Sequence, residues 1–596
     1  MLSKNPLFSL FKYAWHYSFD RKKFFVLATA FSAIGSIVWL LQPIVIGRIF
    51  NSIQFAKQNN QIAYIGYSVG LLVALYVVGW IFHGISRVIE NNNAFLIRKN
   101  YRQTMFEQVM ELPTKWHKDH HSGDTIDKIN KASERLYEFC GELFIIIQNI
   151  IGLVASILIL ALYDLKPIII AAFSSVIAVV VIIKFDKKLL KNYHITNKAE
   201  NFIASGIYDY ISNYITIISL RLKNRASREI ESRSMKPFSV VSQSNKINEI
   251  KWFSSGFIIS IMTSIVLFLN AYSTYKAQGV VVIGTLFVLY QYLNRIGDAF
   301  YTFAWKYSDT VRQNAALMAA EIIREEYQKL HLEKEYSLPS DWRTIQIKKL
   351  SFIYSKDENV KDEKGTLEDI TMCIERYKKI ALIGVSGSGK STILSLLRGL
   401  HETDKASVYC DGKKLKGGLK HLREYCTLIP QEPEIFNNTI EYNITLGVHV
   451  ERKQLEKVIR LANLSGLIGR LEKGLKTSVL ERGVSLSGGE KQRLALARGL
   501  LAARDNQFLL LDEPTSSIDI ENEIQIYRNI FDEFKHEAII SAVHSLHLLK
   551  HFDYIYMFKD SRIIAEGSFP VLLEDENFKI LWRNYDMEQQ EITKSV

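Results

Sequence analysis

Six separate stretches of about twenty apolar residues each fill the first half of the sequence, and they restrict the possible folds more than any other feature. A helix rises 1.5 Å per residue, so about 20 apolar residues are needed to cross the hydrocarbon core of a membrane. The stretches run approximately over 24–45, 63–85, 143–162, 167–185, 253–272 and 280–303. One such stretch could be a buried helix of a large soluble protein. Six in series predict a helical membrane domain.

The connections alternate in length. Those near Asn59, Lys166 and Ala277 are brief, whereas 86–142 and 186–252 are long and polar. Basic residues gather on the long connections and at the start of the chain, as in Lys4, Lys12, Arg21 to Lys23, Arg98, Lys99 and Arg102. The positive-inside rule places these segments and both termini in the cytoplasm. The net charge of +12 follows from that topology and from anionic headgroups, so nucleic acid is not expected as a partner. Residues 1–23 lack the apolar run and cleavage site of a signal peptide, and read as an amphipathic elbow helix along the membrane surface. Ala94, Ile97, Tyr101, Met105 and Val109 recur at helical spacing, so the membrane helices are expected to continue past the bilayer. They are expected to turn at Leu112–Gly123 and near Gly206–Ile215, and His117, His120 and His121 in the first turn read as solvated rather than zinc-binding.

Beyond a boundary near Leu338 the pattern changes to short Val/Ile/Leu runs between polar loops, the sign of an α/β fold. The organisation expected is a membrane domain over 1–330, a linker over 331–343 and a nucleotide-binding domain over 344–596. Cys140, Cys373, Cys410 and Cys426 show no paired spacing and read as reduced thiols. The segment Gly384-Val385-Ser386-Gly387-Ser388-Gly389-Lys390-Ser391 fits GxxxxGK[ST], follows the apolar run 380–383 and precedes a helical run from Thr392. Strand, glycine-rich turn and helix are the context in which backbone N–H groups cradle phosphates, with Lys390 reaching the β- and γ-phosphates of ATP and Ser391 a ligand of Mg²⁺. Phe508-Leu-Leu-Leu-Asp512-Glu513 reads as a buried strand ending in two carboxylates. Asp512 is expected to hold Mg²⁺ and Glu513 to act as general base toward water.

Leu486-Ser487-Gly488-Gly489-Glu490, followed by Lys-Gln-Arg, resembles the LSGGQ signature of the ATP-binding cassette (ABC) family, and TSVLERGVS before it resembles the exporter segment TEVGERG. Together with the six spans, the chain is similar to ABC exporters over essentially its whole length. The resemblance implies a half-transporter with a P-loop ATPase domain of ABC type, working as a dimer. It also implies that Ser487, Gly488 and Gly489 contact the γ-phosphate of ATP held by the opposite subunit, with Glu490 in the same nucleotide-binding set. Glu490 stands where the family usually has glutamine, and Leu480 where it often has glycine. By the same match Tyr354 stacks on adenine, Gln431 senses the γ-phosphate and Mg²⁺, His544 is the switch histidine and Asp519 closes the D-loop. The two turns become short coupling helices resting on the ATPase domains.

With Lys390, Glu513, His544 and the signature intact, two copies of one chain form two competent sites, and a homodimer is favoured over a heterodimer. The expected role is export or flipping of an amphipathic or lipid-like substrate across a bacterial inner membrane, in contact with membrane lipids. A regulatory or scaffold protein of the same architecture, or an importer with an exporter fold, are the alternatives. The last span carries Asn294, Arg295 and Asp298 among Tyr290, Tyr292, Phe300 and Tyr301. These are cargo-facing, or form an Arg295/Asp298 helix pair, or snorkel to the cytoplasmic interface.

Overall fold

The computed structural model describes residues 5–55, 61–163, 165–330, 336–354, 367–479 and 486–583. They form two compact units, one over residues 1–112 and 120–330 and one over 113–119 and 331–596.

The first unit is helical. Helix α1 (Pro6–Tyr17) starts at Asn5, whose Oδ1 accepts from the Leu7 N–H at 3.0 Å. Its Leu10, Tyr13, Ala14 and Tyr17 are buried, and Phe8, Phe11 and Trp15 are exposed, the two-faced pattern expected of the elbow. In chain order there follow α2 (Lys22–Leu40), α3 (Gln42–Gln54), α4 (Gln61–Met110), α5 (Thr114–Asp119), which belongs to the second unit, α6 (Ser122–Gly141), α7 (Leu143–Tyr163) and α8 (Leu165–Ser212). The unit ends with α9 (Tyr214–Ser219), α10 (Lys223–Met235), α11 (Phe238–Gln278) and α12 (Ile283–Leu330). The first apolar stretch is broken at Leu41 because Pro43, at the start of α3, has no N–H to donate. Helix α4 has 50 residues, about 75 Å at 1.5 Å per residue, more than twice the ~30 Å apolar core. Ala94, Ile97, Tyr101, Met105 and Val109 are all buried, so the apolar stripe marks a packed extension of the helix.

Among the described residues, five helical segments are long and apolar enough to cross a membrane, by length and composition alone. The sixth, α12, has the length, but Asn294, Arg295 and Asp298 interrupt its apolar run. Among the described residues no ion pair within 4.0 Å joins Arg295 to Asp298, although the two charges act on each other. Tyr292 is fully buried and its hydroxyl donates to the Leu40 carbonyl, so it packs against α2 rather than lining a cavity. The second turn begins at the far end of the stretch expected for it. Helix α8 runs through Gly206, and the chain turns at α9 and the residues just after it. The Arg233 guanidinium of α10 lies against Gly206, 2.4 Å from where a Cβ would be. Inside the unit, Lys251 Nζ donates to Asp186 Oδ1 at 3.0 Å, with both side chains 2% exposed, and Ser308 Oγ lies 3.3 Å from the same oxygen. This pair joins α8, α11 and α12.

The second unit is α/β and includes α5. Its strands are β1 (Thr344–Phe352), β2 (Leu367–Glu375), β3 (Lys379–Gly384), β4 (Ser407–Cys410), β5 (Lys413–Lys414), β6 (Cys426–Ile429), β7 (Phe508–Asp512), β8 (Ala538–Ala542), β9 (Tyr554–Lys559) and β10 (Arg562–Gly567). One antiparallel sheet has the order β2-β1-β4-β5, the other β10-β9-β3-β8-β7-β6. In the second, β9, β3, β8, β7 and β6 are parallel. Every residue of β7 and β8 is buried, as apolar strands covered on both faces must be. Helix α13 (Lys390–Arg398) lies in the core between the two sheets. The other core lies against α14 (Ile440–Thr445), α15 (Arg452–Leu461), α16 (Ser465–Arg470), α17 (Gly488–Ala502) and α18 (Ile520–Glu533). Trp342 is fully buried and stacks on Phe508 at 4.7 Å between ring centres, fastening the start of this unit to its central sheet. All four cysteines are free.

Candidate functional site

In a parallel sheet, ligands bind at the carboxyl ends of the strands, and four of those ends meet here. The register pairs Leu382 of β3 with Ala542 of β8, and Ala542 with Asp512 of β7. The turn after β3, the carboxylates ending β7 and the loop after β8 are thereby neighbours, with the loop after β6 beside them. Gly384 has φ of 144°, and a Cβ there would come within 2.2 Å of the Phe558 carbonyl, so no larger residue fits this turn. Lys390 opens α13 and is 5% exposed; its Nζ donates to the Gly384 carbonyl at 2.8 Å and stands 3.8 Å from Glu513 Oε1. Burial lowers its pKa, which Glu513 and Asp512 oppose. Ser388 is buried, and its Oγ has no partner.

Ser391 Oγ donates to Asp512 Oδ1 at 2.9 Å. Burial raises the Asp512 pKa, and the Ser391 hydrogen bond opposes that shift. A hydroxyl and a carboxylate side by side at the phosphate turn are hard oxygen donors of the kind Mg²⁺ takes, and the residues fit that ion. Glu513 has φ of 45°, in the left-handed region that a glutamate rarely adopts. Such strain collects where a side chain is held for function. Its Oε2 accepts from Gln431 Nε2 at 2.9 Å. His544 lies exposed two residues past β8. Tyr354, 43% exposed, has its hydroxyl 3.4 Å from Thr392 Oγ1 at the start of α13. Lys118 of α5 sits 5.7 Å from the Tyr354 ring centre, a contact within the second unit beside the phosphate turn. Residues 385–387 and 389 complete that turn.

Helix α17 carries the signature at its N-terminus. Ser487 Oγ accepts from the Glu490 N–H at 3.3 Å and Glu490 Oε2 accepts from the Ser487 N–H at 2.9 Å, a reciprocal cap. Asp519 caps α18 by accepting from the Asn522 N–H at 3.0 Å. Leu480 and the rest of its segment up to Ser485 lie outside the described residues. Among the described residues no hydrogen bond or ion pair joins 487–490 to 384–391. The structure brings Lys390, Ser391, Asp512, Glu513 and Gln431 together, and among the described residues no hydrogen bond or ion pair adds the signature to them.

Residues 25–299 match the family described as ABC transporter transmembrane region, and residues 367–516 match the family described as ABC transporter. The chain is an ABC transporter. It is an integral membrane protein that couples ATP hydrolysis to transport, with an exporter's architecture. Over 513 residues the transporter is 28% identical to the ATP-dependent lipid A-core flippase of Vibrio parahaemolyticus, covering 83% of this chain and 82% of that protein. Over 257 residues it is 35% identical to the mitochondrial iron-sulfur clusters transporter ATM1 of Kluyveromyces lactis, covering 42% of this chain and 35% of that one. Among solved structures, a bacterial Atm1-family ABC exporter with ATP bound superposes with a TM-score of 0.78 over 95% of this chain and 99% of that chain. At 21% identity this is a likeness of fold.

Three contacts of the transporter's site escape sequence reading. Gln492 is buried: its Nε2 donates to Ser516 Oγ at 2.8 Å and its Oε1 accepts from the Ser517 N–H at 2.8 Å. It ties the signature helix to the loop after Glu513. Thr515 Oγ1 donates to Glu523 Oε1 at 2.7 Å, and Glu523 Oε2 is 3.2 Å from His547 Nε2, linking that loop to the one after β8. Arg498 donates to the Glu434 carbonyl at 2.7 Å, joining α17 to the loop that follows Gln431. Only Gln492, two residues past Glu490, had a signal in the sequence.

Proposed function

We propose that two copies of this transporter sandwich two Mg-ATP molecules and use their hydrolysis to export or flip an amphipathic, lipid-like cargo across a bacterial inner membrane. The observation that carries the dimer is the separation of the half-sites within one chain. Lys390, Ser391, Asp512, Glu513 and Gln431 converge on one turn, while among the described residues no hydrogen bond or ion pair brings Ser487, Gly488, Gly489 or Glu490 to it. A second chain supplies the missing half in each site.

In this reading Lys390 and the N–H groups of 385–392 hold the β- and γ-phosphates of ATP, Tyr354 stacks on its adenine, and Ser487 with the amides of Gly488 and Gly489 grips the γ-phosphate from the other copy. Ser391, Asp512 and Gln431 would hold Mg²⁺. That ion neutralises charge building on the phosphate oxygens. Glu513 takes the proton of the attacking water, Gln431 fixes its carboxylate, and His544 and Asp519 close the site. Two faces transmit the outcome. Helix α5 meets the Tyr354 region of its own ATPase unit. Helix α9 exposes Tyr214, Ile215 and Ile218, an apolar face free to carry the second half of that transmission.

The lipid-like cargo rests on the name of the flippase relative, aligned over most of both chains, and on the exposed Tyr290, Tyr301 and Asp298 of α12. In proteoliposomes a phosphorylated acyl glycolipid is expected to stimulate ATPase turnover and to move between leaflets only with ATP. Stimulation by soluble thiol conjugates or peptides, with none by the glycolipid, would overturn the cargo reading.

A further inference from the structure

The signature helix of this transporter carries a feature that ought to work against its use. An anion docking at the N-terminus of α17 is drawn by free N–H groups and by the positive end of the helix dipole, worth roughly half an elementary charge. Glu490 sets a full negative charge into that first turn. The carboxylate cannot turn away, because its Oε2 accepts from the Ser487 N–H at 2.9 Å and its side chain is only 17% exposed. The same contact, and after it the nearby Arg470 and Arg493, hold its carboxyl below the usual carboxylate range, so it is ionised at neutral pH. A glutamine at this position could cap the helix equally well without the charge.

The second oxygen shows how the conflict is resolved. Arg470, the last residue of α16, donates from Nη2 to Glu490 Oε1 at 3.0 Å. Its side chain is 71% exposed, so it does no packing work that would otherwise explain its position. We propose that Arg470 is a positioning residue of the signature half-site: it neutralises Glu490, and so lets a glutamate-type signature accept the terminal phosphate of the nucleotide held by the second copy. This rests on the reading of Ser487 and its glycines as the phosphate-gripping half of a shared site. Arg470 touches neither nucleotide nor water; it acts through Glu490.

The test is a cycle of four full-length dimers in proteoliposomes: wild type, Arg470→Ala, Glu490→Gln and the double variant, with KM for ATP and kcat measured at about 0.1 M and 1 M salt. Arg470→Ala is expected to raise KM roughly threefold to tenfold with kcat little changed, the size of one unscreened charge near a phosphate at a partly exposed site. The rise should shrink at 1 M salt, where the Debye length falls to about 3 Å. Arg470→Lys should recover most of it. In the Glu490→Gln background Arg470→Ala should change nothing further. An equal effect in both backgrounds, or none in either, overturns the proposal. Ser487→Arg separates the two levels. If it abolishes turnover while the cycle shows no coupling, Arg470 alone is misassigned; if it leaves turnover intact, the shared-site reading fails as well.

Discussion

Replacing Glu513 by glutamine changes one charge and little else, and the structure shows why the effect should fall on the chemical step. The Gln431 amide donates to Glu513 Oε2 at 2.9 Å, and a glutamine carbonyl can accept the same bond. The left-handed backbone at φ of 45° costs a glutamine about what it costs a glutamate. Asp512 and its bond from Ser391 at 2.9 Å are untouched, so the metal and phosphate contacts remain. What disappears is the group that accepts the proton of the attacking water. Positioned general bases contribute about 10²–10⁴ in rate, roughly 2.7–5.4 kcal/mol of barrier. Steady-state phosphate release should fall by that factor while ATP binding persists, and the closed dimer should accumulate, as read by cross-linking between copies. Wild-type turnover by the Glu513→Gln protein would refute the assignment.

Three further outcomes follow from the same geometry. Lys390→Ala removes a buried cation from the phosphate turn and should weaken ATP binding about 10- to 100-fold, the worth of a charged hydrogen bond, with turnover lost; a nucleotide titration checks it. Gln492→Ala cuts the two bonds that hold Ser516 and Ser517 to the signature helix; kcat should fall while KM for ATP changes less, and proportional changes in both would count against a positioning role. Asp186→Ala leaves Lys251 buried and unpaired among α8, α11 and α12. It should cost about 3–5 kcal/mol, visible as a lower melting temperature of the membrane unit, and the additional change Lys251→Met should restore much of it.

The parts of this account legible in the sequence are those that short-range pattern determines. A transmembrane helix must be a long apolar run and a phosphate turn must be glycine-rich, so 143–162 and Gly384 to Ser391 declared themselves. Contacts made across the fold did not. Gly206 looks like a turn residue in sequence but lies inside α8, with Arg233 of α10 packed on it. Tyr292 looks like one more aromatic of the last span, yet it is held in the core by the Leu40 carbonyl. Arg470 and Glu490 lie on different helices, and nothing in either stretch announces their pairing. The strained Glu513 backbone was likewise beyond sequence pattern, since its φ is set by how β7 and β8 end side by side.

The central claim is that each ATP is held by two chains. Co-expressing Lys390→Ala and Ser487→Arg chains with different tags, and purifying only dimers that carry both, tests it directly. Each variant alone has two broken sites, but the mixed dimer has one site with an intact phosphate turn and an intact signature. ATP hydrolysis should therefore reappear in the mixed dimer, up to half the wild-type rate, and stay absent in either variant alone. A mixed dimer as silent as its parents would show that each chain builds its site by itself.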